Sequence, residues 1–229
     1  MASGFLTVAI PKGRLFPPLM ELFQKAEVLA EPLEEKSRKL ILEDEESQLR
    51  FILSKPTDVP TYVEYGAADL GIVGKDVLVE AGRDICELVD LGLGFCKMVV
   101  AVPKDGPIKR VSQLGFDSRV ATKYPNLARE FFNRQGLGVE VIKLNGSIEL
   151  GPIVGLADAI VDITSSGQTL EENGLVPIAT LGTSTARLIA NPISYKMAFG
   201  RIMTIVRQLE AVLGEGGEAD DPDLADLGR

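Results

Sequence analysis

Histidine is absent from the 229 residues. That removes a Ser-His-Asp triad, an imidazole general base and any imidazole-ligated metal from the possible chemistry. Cysteine occurs only as Cys86 and Cys96, with no second pair to complete a zinc site. No run of about eighteen apolar residues occurs, so no segment is expected to span a bilayer. The first residues, Met1-Ala2-Ser3-Gly4, lack the basic start of a secretory signal. With so few cysteines, this points to a reducing, cytoplasmic setting. Positive charge is not in excess either: 33 acids face 24 bases, for a formal charge of −9. Part of that is local. Residues 215–229 hold six acids and one base, and without them 27 acids face 23 bases, a balance of −4. A chain of this balance is not expected to hold nucleic acid through general phosphate attraction. A few placed cations could still hold a small anion.

What is present reads as a globular protein, 45% hydrophobic and 25% charged, long enough for one large domain or two small ones. Strands are expected at 6–10, 49–53, 70–73, 97–102, 119–122, 139–144 and 159–163, with another ending at 188–190. Helices are expected between them. One is opened by Pro17 and Pro18 and carries Leu19, Leu22, Phe23 and Ala26 on one face. Others cover 59–65 behind a capping Asp58, 126–134, 146–156 despite Pro152, and a stretch starting at 167. A single long helix is expected over 194–213. The alternation predicts the α/β class with largely parallel sheets.

An internal repeat sharpens the reading. Gly66-Ala67-Ala68-Asp69 leads into Leu70-Gly71-Ile72-Val73, and Gly155-Leu156-Ala157-Asp158 leads into Ala159-Ile160-Val161-Asp162, at a constant offset of 89. Two similar α/β lobes facing each other across a cleft would produce this. The glycine-rich, acidic segment 214–229 is expected to be disordered.

The segments that could carry chemistry follow strands. Asp158, Ile160 and Asp162 alternate along one strand and share a face, with Asp162 nearest its carboxyl end. Open α/β sheets bind ligands at that end. The loop beyond offers the hydroxyls of Thr164, Ser165 and Ser166, then Gly167, Gln168 and Thr169 at a helix start, the makings of a phosphate cradle. Lys12 and Arg14 flank Gly13 at the end of the first strand, and both suit phosphate oxygens. Gly74-Lys75-Asp76 holds the corresponding place in the first half. Thr122-Lys123-Tyr124 and Asn145-Gly146-Ser147-Ile148-Glu149 are further polar loops after strands. Together they suggest a site for a multiply phosphorylated ligand.

In order and spacing these segments resemble ATP phosphoribosyltransferase, the first enzyme of histidine biosynthesis. The resemblance runs from Ile10-Pro11-Lys12-Gly13-Arg14 through Asp58-Val-Pro-Thr-Tyr-Val-Glu64, Gly66-Ala-Ala-Asp-Leu-Gly-Ile-Val-Gly-Lys-Asp76, Ala121-Thr-Lys-Tyr124, Gly146-Ser-Ile-Glu-Leu150 and Gly155-Leu-Ala-Asp-Ala-Ile-Val-Asp162 to Ser166-Gly-Gln-Thr-Leu170. It implies two α/β lobes like a type II periplasmic binding protein. Domain 1 would take residues 1–92 and 181–213, and domain 2 residues 93–180. The implied reaction joins N1 of ATP to C1′ of phosphoribosyl pyrophosphate and releases pyrophosphate, with Mg²⁺ bound through the substrate phosphates. Lys12, Arg14 and Arg38 correspond to the catalytic cations. Asp158, Asp162, Thr164, Ser165, Ser166, Gly167, Gln168, Thr169 and Glu149 correspond to the phosphoribosyl pyrophosphate site, and Asp76, Tyr124 and Cys96 to ATP. The length matches the family's short form, which lacks a C-terminal regulatory domain. Such chains form catalytic dimers within a hetero-octamer that includes a regulatory subunit related to histidyl-tRNA synthetase. A solute-binding module with the same two-lobed fold and no catalysis is the rival class. Pyrophosphate release separates the two.

Overall fold

The computed structural model describes residues 4–30, 33, 39–215 and 227. In chain order the strands are β1 (Leu6–Pro11), β2 (Ile41–Asp44), β3 (Leu49–Ser54), β4 (Leu70–Gly74), β5 (Cys86–Asp90), β6 (Cys96–Pro103), β7 (Arg119–Thr122), β8 (Glu140–Lys143), β9 (Ala159–Thr164), β10 (Leu175–Ser184) and β11 (Ala186–Ala190). The helices are α1 (Phe16–Lys25), α2 (Val59–Glu64), α3 (Lys75–Ala81), α4 (Pro125–Arg134), α5 (Leu150–Ile153), α6 (Gln168–Glu172), α7 (Pro192–Met197) and α8 (Phe199–Glu215). Two compact units result. The first takes the described residues of Met1–Gly94 and Thr185–Asp220, the second those of Phe95–Ser184 and Asp221–Arg229.

The first unit is built on a six-stranded sheet of order β2-β3-β1-β4-β11-β5. Its central strands are apolar on both faces because both faces are covered. Val8, Ile10, Leu70 and Ile72 pack with Leu19 and Phe23 of α1 and with Ile202 and Leu209 of α8. On the other face Ala9, Val73 and Ile189 meet Val59 and Val63 of α2. Gly71 is needed there, since a Cβ would lie 2.6 Å from Val63 Cγ2.

The second unit has a five-stranded sheet of order β10-β6-β9-β7-β8. Val99, Ala121 and Ile160 pack with Ile148, with Leu170 of α6 and with Leu175 of β10. Removing edge strand β2 makes the two orders match: β3-β1-β4-β11-β5 in one unit, β8-β7-β9-β6-β10 in the other. The aspartates of the repeat have the same job in both. Asp69 Oδ2 accepts the Thr7 N–H at 2.8 Å, and the Asp69 N–H donates to the Thr7 carbonyl at 2.8 Å. Asp158 Oδ2 accepts the Arg119 N–H at 2.8 Å, and its own N–H donates to the Arg119 carbonyl at 2.8 Å. Each ties the start of a central strand to the start of its parallel neighbour.

Four readings of the sequence need correction. The sheets are mixed: β1 is parallel to β3 and β4, and β7 to β8 and β9, but β11 and β6 run antiparallel to β4 and β9. The reason is the chain's route. It enters the second unit after Gly94 and returns after Ser184. Each entering strand begins at the carboxyl edge of the sheet, Lys97 beside Thr164 and Ala186 beside Gly74, and can only run backwards. The helix expected over 146–156 shrinks to Leu150–Ile153, because Gly146 is followed by Ser147 at φ 47°. The helix expected over 194–213 divides at Ala198, at φ −114° and ψ 25°, into α7 and α8. Asp58 stands at the cap position of α2 without a side-chain cap bond. The expected disordered tail lies outside the described residues, apart from 214, 215 and 227.

Candidate active site

In the second unit, β9 ends at Thr164 and α6 begins at Gln168. Gly167 turns the chain between them at φ 81°, a conformation that favours glycine. Its N–H donates to Thr164 Oγ1 at 2.9 Å, and the Gln168 N–H reaches Ser166 Oγ at 3.4 Å. Buried Leu170 anchors the helix beneath. Ser165, Ser166, Gln168 and Thr169 remain exposed, and a Cβ on Gly167 would meet nothing within 4 Å. The loop is thus hydroxyl-rich and open, so that a phosphate can be brought close to the backbone. Asp162, half-buried on the same strand, accepts the Ile163 N–H on Oδ1 at 2.8 Å.

The other predicted residues of this unit are spread along its carboxyl edge, with one exception. Tyr124 is buried at the start of α4, its N–H donating to Thr122 Oγ1 at 2.9 Å. Thr122 in turn donates to the Val161 carbonyl at 2.6 Å, which fixes the start of α4 to β9. Glu149 is half-buried at the start of α5. Cys96 is buried at the start of β6, its thiol 3.8 Å from the Ser184 carbonyl. The exception is Asp158. It precedes β9, about 20 Å along an extended strand from Thr164, and its carboxylate holds Arg119. The structure does not bring it to the loop.

In the first unit, Lys12 and Arg14 follow β1 and are exposed, with no side-chain partner among the described residues. The Lys12 N–H donates to the Ser54 carbonyl at 3.0 Å, and Gly13, at φ 88°, accepts the Phe16 N–H at 2.9 Å, opening α1. Arg38 lies outside the described residues. Asp76 is buried in the first turn of α3. Next to it the sequence reading missed a charge network. Lys75 Nζ meets Glu87 Oε2 at 2.7 Å, Arg187 Nη1 meets Asp90 Oδ2 at 2.7 Å, and Thr185 Oγ1 donates to Asp90 Oδ1 at 2.7 Å. These residues are far apart in sequence and meet only because β11 returns between β4 and β5. In the second unit Lys97, which the reading gave only as a strand residue, pairs with Thr164. Among the described residues, no group of three acidic or cysteine side chains could hold a metal, and no helix is long and apolar enough to cross a membrane.

The family model of ATP phosphoribosyltransferase matches residues 55–211. The ATP phosphoribosyltransferase of Moorella thermoacetica is 49% identical over 222 residues, covering 95% of this chain and 97% of that one. That of Caldanaerobacter subterraneus is 51% identical over 211 residues, covering 92% and 99%. Among solved structures, the ATP phosphoribosyl transferase (HisG:HisZ) complex from Thermotoga maritima contains a chain that matches with a TM-score of 0.77 at 33% identity, over 92% of this chain and all of that one. The periplasmic aliphatic sulphonate-binding protein SsuA of Escherichia coli matches at 0.58 and 15% identity over 94% of this chain, which shows a shared fold alone. With the family model matching residues 55–211 and about half its residues identical across nearly the whole of such relatives, the chain belongs to the ATP phosphoribosyltransferase family.

Proposed function

We propose that this chain transfers the phosphoribosyl group of phosphoribosyl pyrophosphate to N1 of ATP, releasing pyrophosphate, as the first step of histidine biosynthesis. The observation that carries the reading is the near-complete, roughly half-identical match to enzymes of that name. The loop from Thr164 to Thr169 supports it, being open, hydroxyl-rich and turned by a glycine.

Adenine N1 is a nucleophile without assistance, and pyrophosphate leaves readily once its charge is neutralised. The demands on the protein are therefore positional and electrostatic. The 164–169 loop takes the 5′-phosphate, with Gly167 allowing close approach and Ser166 and Thr169 donating. Lys12, Arg14 and Arg38 supply positive charge to the pyrophosphate and to the phosphates of ATP. Asp162 and Glu149 take the ribose hydroxyls, and Asp76, Tyr124 and Cys96 belong to the ATP side. Mg²⁺ fits as a companion of the substrates, because it keeps much of its water and prefers phosphate oxygens with one or two carboxylates. It would be bound through the substrate phosphates, with Asp162 at the carboxyl end of β9 as the carboxylate to help hold it, and the ion would supply neutralising charge on the pyrophosphate. Histidine has no part to play in such a reaction.

Two further elements belong to this proposal. The catalytic chain forms a homodimer and works in a hetero-octamer with a regulatory subunit related to histidyl-tRNA synthetase, in keeping with the named Thermotoga complex. It does so in the cytoplasm. The test is to mix the protein with ATP, phosphoribosyl pyrophosphate and Mg²⁺, with and without such a subunit. Pyrophosphate release that depends on all three small molecules is expected. Its absence under both conditions would overturn the reading.

A further inference from the structure

Lys97 is the second residue of β6 and lies directly opposite Thr164 of β9. Opposed residues on antiparallel strands point to the same face, with Cβ atoms about 5 Å apart. Val99 and Asp162 form the next such pair on that face. Val99 packs in the same cluster as Leu170 of α6. Lys97 therefore rises on the face that the 164–169 loop and its helix cover.

Two features set this lysine apart. It is half-buried, and among the described residues its side chain has no hydrogen-bond or ion-pair partner. The buried and half-buried cations at the corresponding edge of the first unit are paired, Lys75 with Glu87 and Arg187 with Asp90, both at 2.7 Å, while the unpaired Lys12 and Arg14 there are exposed. A partly desolvated ammonium without a counter-charge is unfavourable unless something anionic arrives. The loop, for its part, lacks a cation: Thr164, Ser165, Ser166, Gly167, Gln168 and Thr169 offer only hydroxyls, an amide and N–H groups. These satisfy the oxygens of a phosphate monoester but not its charge, which approaches −2 at neutral pH.

We propose that Lys97 is the counter-charge for the 5′-phosphate held in the 164–169 loop. This rests on the reading of that loop given above and adds a binding residue from the neighbouring strand. Lys123 and Lys143, at the ends of β7 and β8, are exposed and lie on the other side of β9. Lys97 is the half-buried cation directly opposite the first residue of the loop.

Ribose 5-phosphate is the discriminating probe, since it carries the 5′-phosphate without the pyrophosphate. Its affinity is measured by calorimetry on the full chain, beside the steady-state constants. In Lys97→Met, the dissociation constant for ribose 5-phosphate and the KM for phosphoribosyl pyrophosphate should both rise about 30-fold, the loss expected for one charged hydrogen bond. The KM for ATP and kcat should stay within about twofold, and Lys97→Arg should recover most of the affinity. Lys143→Met, which removes the exposed cation of an edge strand, should leave all constants unchanged. A folded Lys97→Met protein with wild-type affinity for ribose 5-phosphate overturns the assignment while leaving the loop reading intact. So does an equal loss in Lys143→Met, which would mean general attraction and not a placed charge. A wild-type protein that binds neither sugar phosphate overturns both.

Discussion

Gly167 is where one residue decides the site. Its φ of 81° lies in the left-handed region, yet a Cβ there would meet nothing within 4 Å. A side chain would thus be strained by the backbone and not by its neighbours. In Gly167→Val the branched side chain costs about 1–2 kcal/mol in that conformation. Relief of the strain would pull the N–H away from Thr164 Oγ1, the 2.9 Å bond that shapes the loop. The valine would also fill the space open to a phosphate. The two effects act on the loop together, while α6 stays anchored by Leu170. The variant should remain folded, with a melting temperature within a few degrees of wild type, and lose phosphoribosyl pyrophosphate affinity by more than about tenfold. Gly167→Ala has the same backbone strain with less bulk and should fall between the two. Calorimetry checks both, and unchanged affinity in a folded valine variant would remove the loop from the site.

At the scale of elements, the twin aspartates of the repeat do structural work. The Gly-x-Ala-Asp repeat was visible because both copies perform one structural task, tying a central strand to its parallel neighbour. The resemblance puts Asp158 with the phosphoribosyl pyrophosphate site and it shares a face with Asp162, but a shared face says nothing about which end of the strand a residue occupies. Asp158→Ala leaves the Arg119 N–H without its acceptor, and an unsatisfied group of this kind costs about 1–3 kcal/mol. Asp69→Ala should cost more, since Asp69 also accepts from the Ser194 hydroxyl at 2.6 Å. Urea unfolding should show this order, with the KM for phosphoribosyl pyrophosphate unchanged in Asp158→Ala. A raised KM at unchanged stability would return Asp158 to the substrate.

The same scale shows what was legible. The buried strands β1, β4, β7 and β9 declare themselves as short apolar runs, because both their faces are covered. Strands β2, β5 and β10 do not. β2 is a four-residue edge strand, half exposed. β5 carries Glu87 and Asp90 because it sits beside Arg187. β10 is an edge strand containing Pro177 and Gly182, with two register shifts. The candidate loop was legible because its residues are contiguous. Lys97 was not, because only the pairing of β6 with β9 brings it to Thr164.

Over the whole chain, the offset of 89 foretold two similar halves, and the matching strand orders bear that out. Hidden in the sequence was how the halves are threaded. In the first unit β11 stands between β4 and β5 and pairs with both. It comes from the far side of the second unit in sequence, and so does α8, which contributes Ile202 and Leu209 to the core. A fragment of residues 1–94 would therefore leave β5 without a partner strand, one edge of β4 bare and the α8 face of the core open to water. It should show no cooperative thermal transition. The cure is equally specific. The Ala186 N–H donates to the Leu93 carbonyl at 2.8 Å, so the two points where the second unit is spliced in lie side by side. A chain of residues 1–93 joined by a short glycine linker to 186–215 should regain a cooperative transition, followed by circular dichroism or calorimetry, because closing so short a loop costs little entropy. Cooperative melting of 1–94 alone would show that β11 and α8 are dispensable to this core. A linked chain that fails to melt cooperatively would show that the first unit depends on the second for its fold.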